Sequence, residues 1–253
     1  LGMMDCKKAL VENDGDMEQA IDSLRKSSGM KAAKKAGRIA ADGLIRIKIE
    51  GNVGVVVEIN CETDFAAKDE NFVTFASDVT DALFADPGCD IEALMTGGFE
   101  ATRESLVQKI GENCSVRRAT RYEGDVTSYL HTNGKIGVLV QLEGGSEDLG
   151  RDLAMHIAAT NPQVVSPDDA SQEVIEKERE IYTAQAAESG KPPEIVAKMV
   201  EGRVKKFLAE ISLTEQAFVK DGDIKVGTLL SQQGASVVNF VRYEVGEGIE
   251  KEE

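Results

Sequence analysis

The sequence is poor in the residues that build metal sites and disulfides. It has two histidines, His131 and His156, and none of its four cysteines belongs to a CxxC pair. Since the cysteine spacing shows no disulfide framework, we expect reduced thiols and a cytosol-like compartment. With so few histidines to complete a ligand set, we expect no metal site. The cysteines are Cys6, Cys61, Cys89 and Cys114.

Long apolar runs and an excess of positive charge are also lacking. No segment approaches the roughly 18–20 apolar residues of a membrane helix, so no membrane partner is expected. The 29 lysines and arginines are outnumbered by 45 aspartates and glutamates, and the formal net charge is -16. Nucleic-acid surfaces need clustered basic residues. We interpret the one such cluster, at 31–38, as a solvated helix end or a partner contact, and expect no direct nucleic-acid binding.

Motifs of common enzymes are missing as well. The chain has no GxSxG, HExxH, GxGxxG, GxxxxGKS or GxxxxGKT. The remaining enzyme hypothesis is an acidic cluster of Glu62, Asp64, Asp69 and Glu70 that binds Mg²⁺ or serves as acid and base. The structural alternative is that Asp69 and Glu70 open a helix, where carboxylates favour the positive end of the helix dipole. We therefore expect no enzyme and no cofactor.

Residues 1–36 predict a small helical module. Apolar spacing favours helices over 3–12 and 17–26, and Asp16 is a predicted N-cap. Residues 30–37 have the composition of a charged, alanine-rich linker. Two short helices cannot form a core, and the chain starts without an initiator methionine. We therefore expect that a preceding helix is missing.

The rest of the chain predicts an α+β core in two similar halves. Each half has a β-hairpin, a helix and a further strand that ends in Arg-Tyr-Glu. We predict a duplicated core with antiparallel sheets; the alternative is that such strands are common and the match is chance. His156 is expected in the middle of the helix at 147–159, at an edge of its buried face, with no chemical role. The segments are 44–60, 70–83 and 115–123, then 126–143, 147–159 and 237–245.

A charged helical pair is inserted in the second half. Residues 171–189 and 194–208 predict two helices joined by a turn at 190–193. The second helix has an apolar stripe that either packs within the hairpin or forms a docking or self-association surface. The stripe consists of Ile195, Met199, Val200, Val204 and Phe207.

One loop carries an aromatic residue that its surroundings do not explain. Phe65 stands among charged and polar neighbours at 61–68, just past the end of a predicted buried strand. This loop is about five residues longer than the equivalent at 144–146, and loops on a rigid scaffold often carry function. Phe65 is therefore either folded back into its own core or held out for a partner.

Five stretches in register point to a known family. They are LGMMDCKKAL at 1–10, KAAKKAGRIAAD at 31–42, NCETDFAAKD at 60–69, MHIAA at 155–159 and VRYEVGEGIEK at 241–251. In this order they resemble bacterial elongation factor Ts along essentially the whole chain. The resemblance implies a cytoplasmic guanine-nucleotide exchange factor for the translation GTPase elongation factor Tu, without catalytic chemistry or a cofactor of its own.

The resemblance also implies a domain organisation. The chain departs from the family at both ends, since the first helix and most of a C-terminal module are expected to be missing. The expected parts are a ubiquitin-associated-like N-terminal domain with its linker at 1–36, a core N-subdomain at 37–124, a core C-subdomain at 125–170 and 208–246, an inserted coiled-coil hairpin at 171–207 suited to a homodimer, and the start of the C-terminal module at 247–253.

Of the two alternatives for Phe65, the resemblance implies that this residue is held out for a partner. It implies that Phe65 inserts between helices of the GTPase near the Mg²⁺ and nucleotide site, and that Asp64 positions it. Thr63 and Ala66 complete this motif, in which the family usually has valine at the position of Ala66. Partner contacts of lower rank are Lys7, Lys35, Ile110 and His131.

Two hypotheses of other classes stay open beside this one. The first is an adaptor or chaperone that works through the hairpin at 174–207, and the second is an Mg²⁺-dependent enzyme that uses the acidic loop. The first predicts that function depends on the hairpin, and the second that it depends on carboxylates and metal. Only the exchange-factor hypothesis predicts dependence on Phe65.

Overall fold

The computed structural model describes residues 3–188 and 190–250 as a mixture of helices and antiparallel strands. The predicted α+β class is therefore confirmed. The chain divides into two compact units, one of Leu1–Leu139 with Tyr243–Glu253 and one of Val140–Arg242. The ends of three predicted segments, at 1–2, 189 and 251–253, lie outside the described residues. Of the helices within the described ranges, none combines the length and apolarity that crossing a bilayer requires.

The N-terminal module consists of α1 (Met3–Glu12) and a longer α2 (Met17–Lys35). Asp16 caps α2 as predicted, since its Oδ1 accepts a hydrogen bond of 3.0 Å from the Gln19 N–H. The predicted linker at 30–37 is wrong over most of its length, because α2 continues to Lys35. Lysine and alanine favour helix, and buried Ala32 packs in the core beside α5 (Glu100–Ile110). This tertiary contact outweighs the breaking signal of one internal glycine.

The first sheet has the order β1-β2-β3, with antiparallel neighbours. Its strands are β1 (Asp42–Glu50), β2 (Val53–Cys61) and β3 (Ser115–Glu123). The central strand β2 is buried along nearly its whole length. The register pairs Asp42 with Cys61 and Asn60 with Ser115, so three chain segments meet at the end of β2.

Helix α3 (Glu70–Ala85) covers the first sheet, and it begins where the sequence predicts. The Asp69 side chain caps it by accepting a hydrogen bond of 2.8 Å from the Asn71 N–H. A short α4 (Ile91–Leu94) and a π-helical turn lead into α5. The buried face of α3 includes Phe72, Phe75, Ala76, Val79 and Leu83.

A second three-stranded sheet has the order β4-β5-β8. Its strands are β4 (Asp125–Leu130), β5 (Ile136–Glu143) and β8 (Ser236–Glu244), and α6 (Glu147–Thr160) follows β5. Each sheet thus has a hairpin whose second strand also pairs with a later strand. That order is consistent with the duplication, which stays a prediction, as do the predicted domain boundaries.

The inserted pair of helices is formed by α7 (Gln172–Ala187) and α8 (Pro193–Ile211), which pack against each other. The predicted stripe on α8 is partly wrong. Val200 and Val204 are buried, but Ile195 is exposed and Val196 packs in its place. A spacing of four residues, from 196 through 200 and 204 to Leu208, follows the contact with α7 better than the predicted set.

Two short strands and a helix after α8 were not predicted from the sequence, and His156 is more deeply buried than predicted. The unpredicted elements are β6 (Ala217–Phe218), β7 (Asp221–Lys225) and α9 (Val226–Gln232). His156 is fully buried rather than at an edge, because this segment covers it. Its Nε2 lies 2.9 Å from Gln216 Oε1, and the Val219 N–H donates to its Nδ1 over 3.1 Å. Burial lowers the pKa of His156, although the Gln216 hydrogen bond opposes this.

A buried carboxylate on β2 ties several segments of the first unit together. Glu58 is fully buried. It accepts from Arg118 Nε at 2.5 Å, from Arg117 Nη1 at 3.1 Å and from the Gly246 N–H at 2.8 Å. Gly246 has φ of 76°, and a Cβ there would collide with the carbonyl oxygen of Ala41, so the close approach requires glycine. Burial alone would raise the pKa of Glu58, but hydrogen bonds from Gly246, Asn60 and Arg118 lower it.

We predict that Glu58→Gln destabilises the protein at pH 7 by about 3 kcal/mol, because it leaves two arginines facing a neutral group. Since the folded-state pKa is lowered, the stabilisation is present above the unfolded pKa, about 4.3, and is lost as pH falls through the folded value. The difference from the wild type should therefore shrink below about pH 4. Urea unfolding followed by circular dichroism measures both effects.

Glu50→Gln is the matched control, because Glu50 lies on the neighbouring strand β1 and forms an exposed ion pair with Lys48. We expect it to cost no more than about 1 kcal/mol. Equal effects of the two substitutions at pH 7 would contradict the structural role of Glu58.

Candidate functional site

The loop at 62–69, between β2 and α3, holds the Phe65 side chain away from the protein. Phe65 is 81% exposed, the second highest exposure among the large apolar side chains described. Its backbone has ordinary helical angles, with φ of -67° and ψ of -47°, so no strain places it there. The first of the two alternatives for Phe65, burial in its own core, is therefore excluded by the structure.

The chain turns back into the core directly after Phe65. Residues Ala66–Lys68 form one turn of 3₁₀ helix, and Ala66 and Ala67 are both buried in the cluster under the sheet. The Ala67 N–H donates to the Thr63 carbonyl oxygen over 3.2 Å, and the Lys68 N–H donates to that of Phe65 over 3.1 Å. Two buried alanines therefore anchor the C-terminal side of the exposed phenylalanine.

Lys68 orders the two side chains at the tip of the loop. Its Nζ lies 2.7 Å from Asp64 Oδ2 and 5.9 Å from the centre of the Phe65 ring. The hydrogen bond from Lys68 lowers the pKa of Asp64, so this carboxylate is ionised at neutral pH. The tip of the loop thus presents an apolar ring beside a hydrogen-bond acceptor.

Glu112, which precedes β3, holds the N-terminal side of the same loop. Its Oε2 accepts from the Glu62 N–H at 3.1 Å and from the Thr63 N–H at 2.9 Å. Its Oε1 accepts from Thr63 Oγ1 at 2.7 Å. Thr63 Oγ1 in turn accepts from the Ala66 N–H at 3.3 Å, which closes the turn around Asp64 and Phe65.

The turn that carries Glu112 is held by the loop in return. Glu62 Oε1 accepts from the Asn113 N–H at 2.6 Å. Asn113 Nδ2 donates to the Arg38 carbonyl oxygen over 2.9 Å, and Lys35 Nζ donates to that of Gly111. Lys35, a predicted partner contact, therefore ties the end of α2 to the end of α5.

The other predicted contacts fall in different places. His131 follows β4 and lines one groove together with Asp64, Lys68 and Arg46, so the structure brings His131 and Asp64 together. Its Nδ1 lies 2.8 Å from Asn133 Oδ1. Ile110, half-buried at the end of α5, is two residues from Glu112. Lys7 lies on α1, where its side chain is exposed.

Three of the four carboxylates of the acidic hypothesis have separate partners rather than one shared site. Glu62 binds the Asn113 N–H, Asp64 binds Lys68, and Asp69 caps α3. Hydrogen bonds from Asn71 lower the pKa of Asp69. Over residues 3–188 and 190–250, no group of three or more histidines, cysteines and acids has an arrangement suited to a metal ion. This arrangement gives the enzyme hypothesis no support.

The two cysteines beneath the loop are unsuited to nucleophilic chemistry. Both are fully buried; Cys61 is the last residue of β2, and Cys114 directly precedes β3. Burial is the main cause that raises the pKa of both thiols, that of Cys114 to about 12. A thiol is reactive as its thiolate, which is scarce here at neutral pH. Both cysteines therefore serve as packing residues.

Sequence reasoning missed Glu112 and Asn113. They lie about fifty positions from the loop, and neither residue type nor local spacing marks them. The one local feature near them is Gly111, a glycine of the type that ends helices; it adopts φ of 84° at the end of α5. It predicts where the helix stops, but it does not show what the next side chain touches.

Comparison with known proteins shows which sequences this chain is similar to. A family model described as Elongation factor TS matches residues 62–247. The Elongation factor Ts of Hahella chejuensis is 63% identical over 256 residues, which cover 100% of this chain and 90% of that protein. Those of Marinobacter nauticus and Cronobacter sakazakii are 56% and 55% identical, and each match covers 100% of this chain and 89% of the relative.

We predict that Phe65→Ala leaves the stability of the protein almost unchanged, within about 0.5 kcal/mol, because its ring contacts little of the fold. Phe72→Ala is the matched comparison seven residues away. Phe72 is fully buried, and truncation should cost about 3–5 kcal/mol. Urea unfolding of both variants measures the contrast, and a large loss for Phe65→Ala would mean that the loop packs differently.

Proposed function

Since the chain belongs to the elongation factor Ts family, we propose that it binds elongation factor Tu and speeds the release of GDP, so that GTP takes its place. The observation that supports this most is Phe65, which is 81% exposed at the tip of an anchored loop. An exposed phenylalanine that contributes little to its own fold is suited to a partner. The chain performs no covalent chemistry in this function, and a cytoplasmic location goes with it.

In the proposed mechanism, Phe65 enters between helices of the GTPase close to the Mg²⁺ and phosphates of the bound nucleotide. GTPases hold these phosphates with a backbone cradle and a bridging Mg²⁺, so displacing the elements that order the ion weakens both. Asp64, whose carboxylate is oriented by Lys68, offers it to N–H groups of the partner. Thr63 and Ala66 complete the motif by fixing the backbone on either side.

The wedge works only as part of a larger interface. Burying one phenylalanine contributes roughly 1.5–3 kcal/mol, whereas nanomolar nucleotide binding corresponds to about 12 kcal/mol. Further contacts must therefore supply binding energy that is lost while nucleotide is held tightly. We assign these to the groove beside the loop, which includes His131, and to Ile110, Lys35 and Lys7. This is negative coupling between two ligands, and it is reciprocal, so GDP must equally expel the factor.

The remaining assignments belong to the same proposal. Residues 1–36 act as a ubiquitin-associated-like module that adds partner contacts. The hairpin at 171–207 supports a homodimer, for which the exposed Val174, Ile181 and Ile195 are suitable. The factor binds no nucleotide itself, so the relative concentrations of GTP and GDP decide which one enters the emptied site. No nucleic acid or membrane contact is part of this function.

We predict that the wild-type chain accelerates the release of a fluorescent GDP analogue from elongation factor Tu, and that Phe65→Ala lowers this acceleration by about 10- to 100-fold. That range is what losing roughly 1.5–3 kcal/mol of burial gives. Stopped-flow fluorescence measures the rates. Val219→Ala, which truncates an exposed apolar residue between β6 and β7, is the control and should accelerate GDP release like the wild type.

Other outcomes of this measurement separate the alternatives. A complex that forms while the release rate stays unchanged would favour a binding module of another kind. Loss of binding on substitution in the hairpin rather than at Phe65 would favour the adaptor or chaperone. Acceleration by Phe65→Ala equal to that of the wild type would contradict the wedge.

A further inference from the structure

The position of Phe65 depends on a carboxylate that lies outside the loop. Exposed aromatic side chains have few neighbours to orient them, so the backbone beside them must do so. Glu112 binds three donors on the two residues before Asp64, at 3.1, 2.9 and 2.7 Å. Hydrogen bonds to an ionised acceptor are stronger than those between neutral groups. This one side chain therefore fixes the backbone at the entrance to the loop.

The hold on the loop is reciprocal. Glu62 accepts the Asn113 N–H at 2.6 Å, while Glu112 accepts the Glu62 N–H. We call this arrangement the clasp, and it consists of Glu62, Thr63, Glu112 and Asn113. Because each carboxylate takes a backbone N–H of the opposite segment, neither segment shifts without breaking bonds of the other.

Further hydrogen bonds hold the clasp on each side. On the loop side, Thr63 Oγ1 accepts the Ala66 N–H at 3.3 Å, and Ala66 is buried. On the other side, Asn113 is held by the backbone of Arg38, and Gly111 by Lys35. Behind the clasp, Lys35 ends α2 and Gly111 caps α5, whereas Arg38 lies in the segment between α2 and β1. Attachment to helix ends is support of the kind that a precise contact residue needs.

We infer that Glu112 is a positioning residue for nucleotide exchange. Through the clasp it holds the loop in one conformation, so that Phe65 meets the partner already oriented. Without it, the loop would have to be ordered on binding, and that ordering costs binding free energy. This inference rests on the proposed function, since it concerns the same loop, but it assigns the positioning to a residue about fifty positions away that does not contact the partner in our proposal.

The test is a double-mutant cycle on GDP release from elongation factor Tu. Glu112→Ala should lower the acceleration by about tenfold in the wild-type background. In the Phe65→Ala background it should change little, because a residue that acts only through Phe65 has nothing left to position. Glu112→Gln should retain most of the activity, since its amide oxygen still accepts the two N–H groups and its NH₂ donates to Thr63 Oγ1.

Two further measurements separate positioning from damage to the fold. Hydrogen exchange at the Glu62 and Thr63 amides should become about tenfold faster in Glu112→Ala, while the amides of β2 keep their protection. Glu50→Ala removes the same charge at the far end of the β1–β2 hairpin, where Glu50 pairs with Val53. It should leave both the loop amides and GDP release unchanged.

Each outcome has a distinct meaning. Equal losses from Glu112→Ala in both backgrounds, or faster amide exchange with unchanged GDP release, would overturn the positioning role. A Glu112→Gln variant as impaired as Glu112→Ala, with intact loop amides, would also overturn it. A wild-type chain that leaves GDP release unchanged would overturn the proposed function itself, and the role of Glu112 in exchange with it.

Discussion

The burial of β2 between two partner strands and beneath α3 is the constraint on which the first unit depends. Val55, Val57 and Ile59 point into the core on the α3 side, and the strand loses contact with water along nearly its whole length. Its backbone groups pair with β1 on one side and β3 on the other. A slip of one residue would turn Glu58 toward the apolar core on the α3 side and away from its two arginines. The position at which the loop begins, directly after Cys61, is therefore fixed by the sheet.

Two carboxylates then close the structure around that strand. Glu58 lies within the strand and accepts hydrogen bonds from two arginines and from the Gly246 N–H. Glu112 lies beside the C-terminal end of β2 and accepts hydrogen bonds from two backbone N–H groups of the loop. A carboxylate has several acceptor sites, so one side chain satisfies donors from segments that are distant in sequence. Apolar packing sets the sheet, and these polar contacts set what surrounds it.

The two phenylalanines nearest the loop differ in what they contribute to the fold. Phe72 is fully buried in α3, whereas Phe65 faces solvent seven residues earlier. Keeping a large apolar ring in water forgoes the free energy that burial would supply, and buried Ala66 and Ala67 anchor the turn without it. A loop of this kind is stable on its own and still has an apolar group to bury against another protein.

The sequence by itself determined the hairpins, α3 with its cap at Asp69, and the unusual setting of Phe65, because these follow from short-range periodicity and turn chemistry. Local signals misled where tertiary contacts outweighed them, as in the helical stretch before Lys35 and the burial of His156. Local patterns left the setting of Phe65 open, and the family resemblance implied that it is held out. Only the tertiary structure shows that Phe65 faces outward and that Glu112 holds its loop. A side chain's exposure and its hydrogen bonds to residues fifty positions away depend on how distant segments meet, and no local pattern records that.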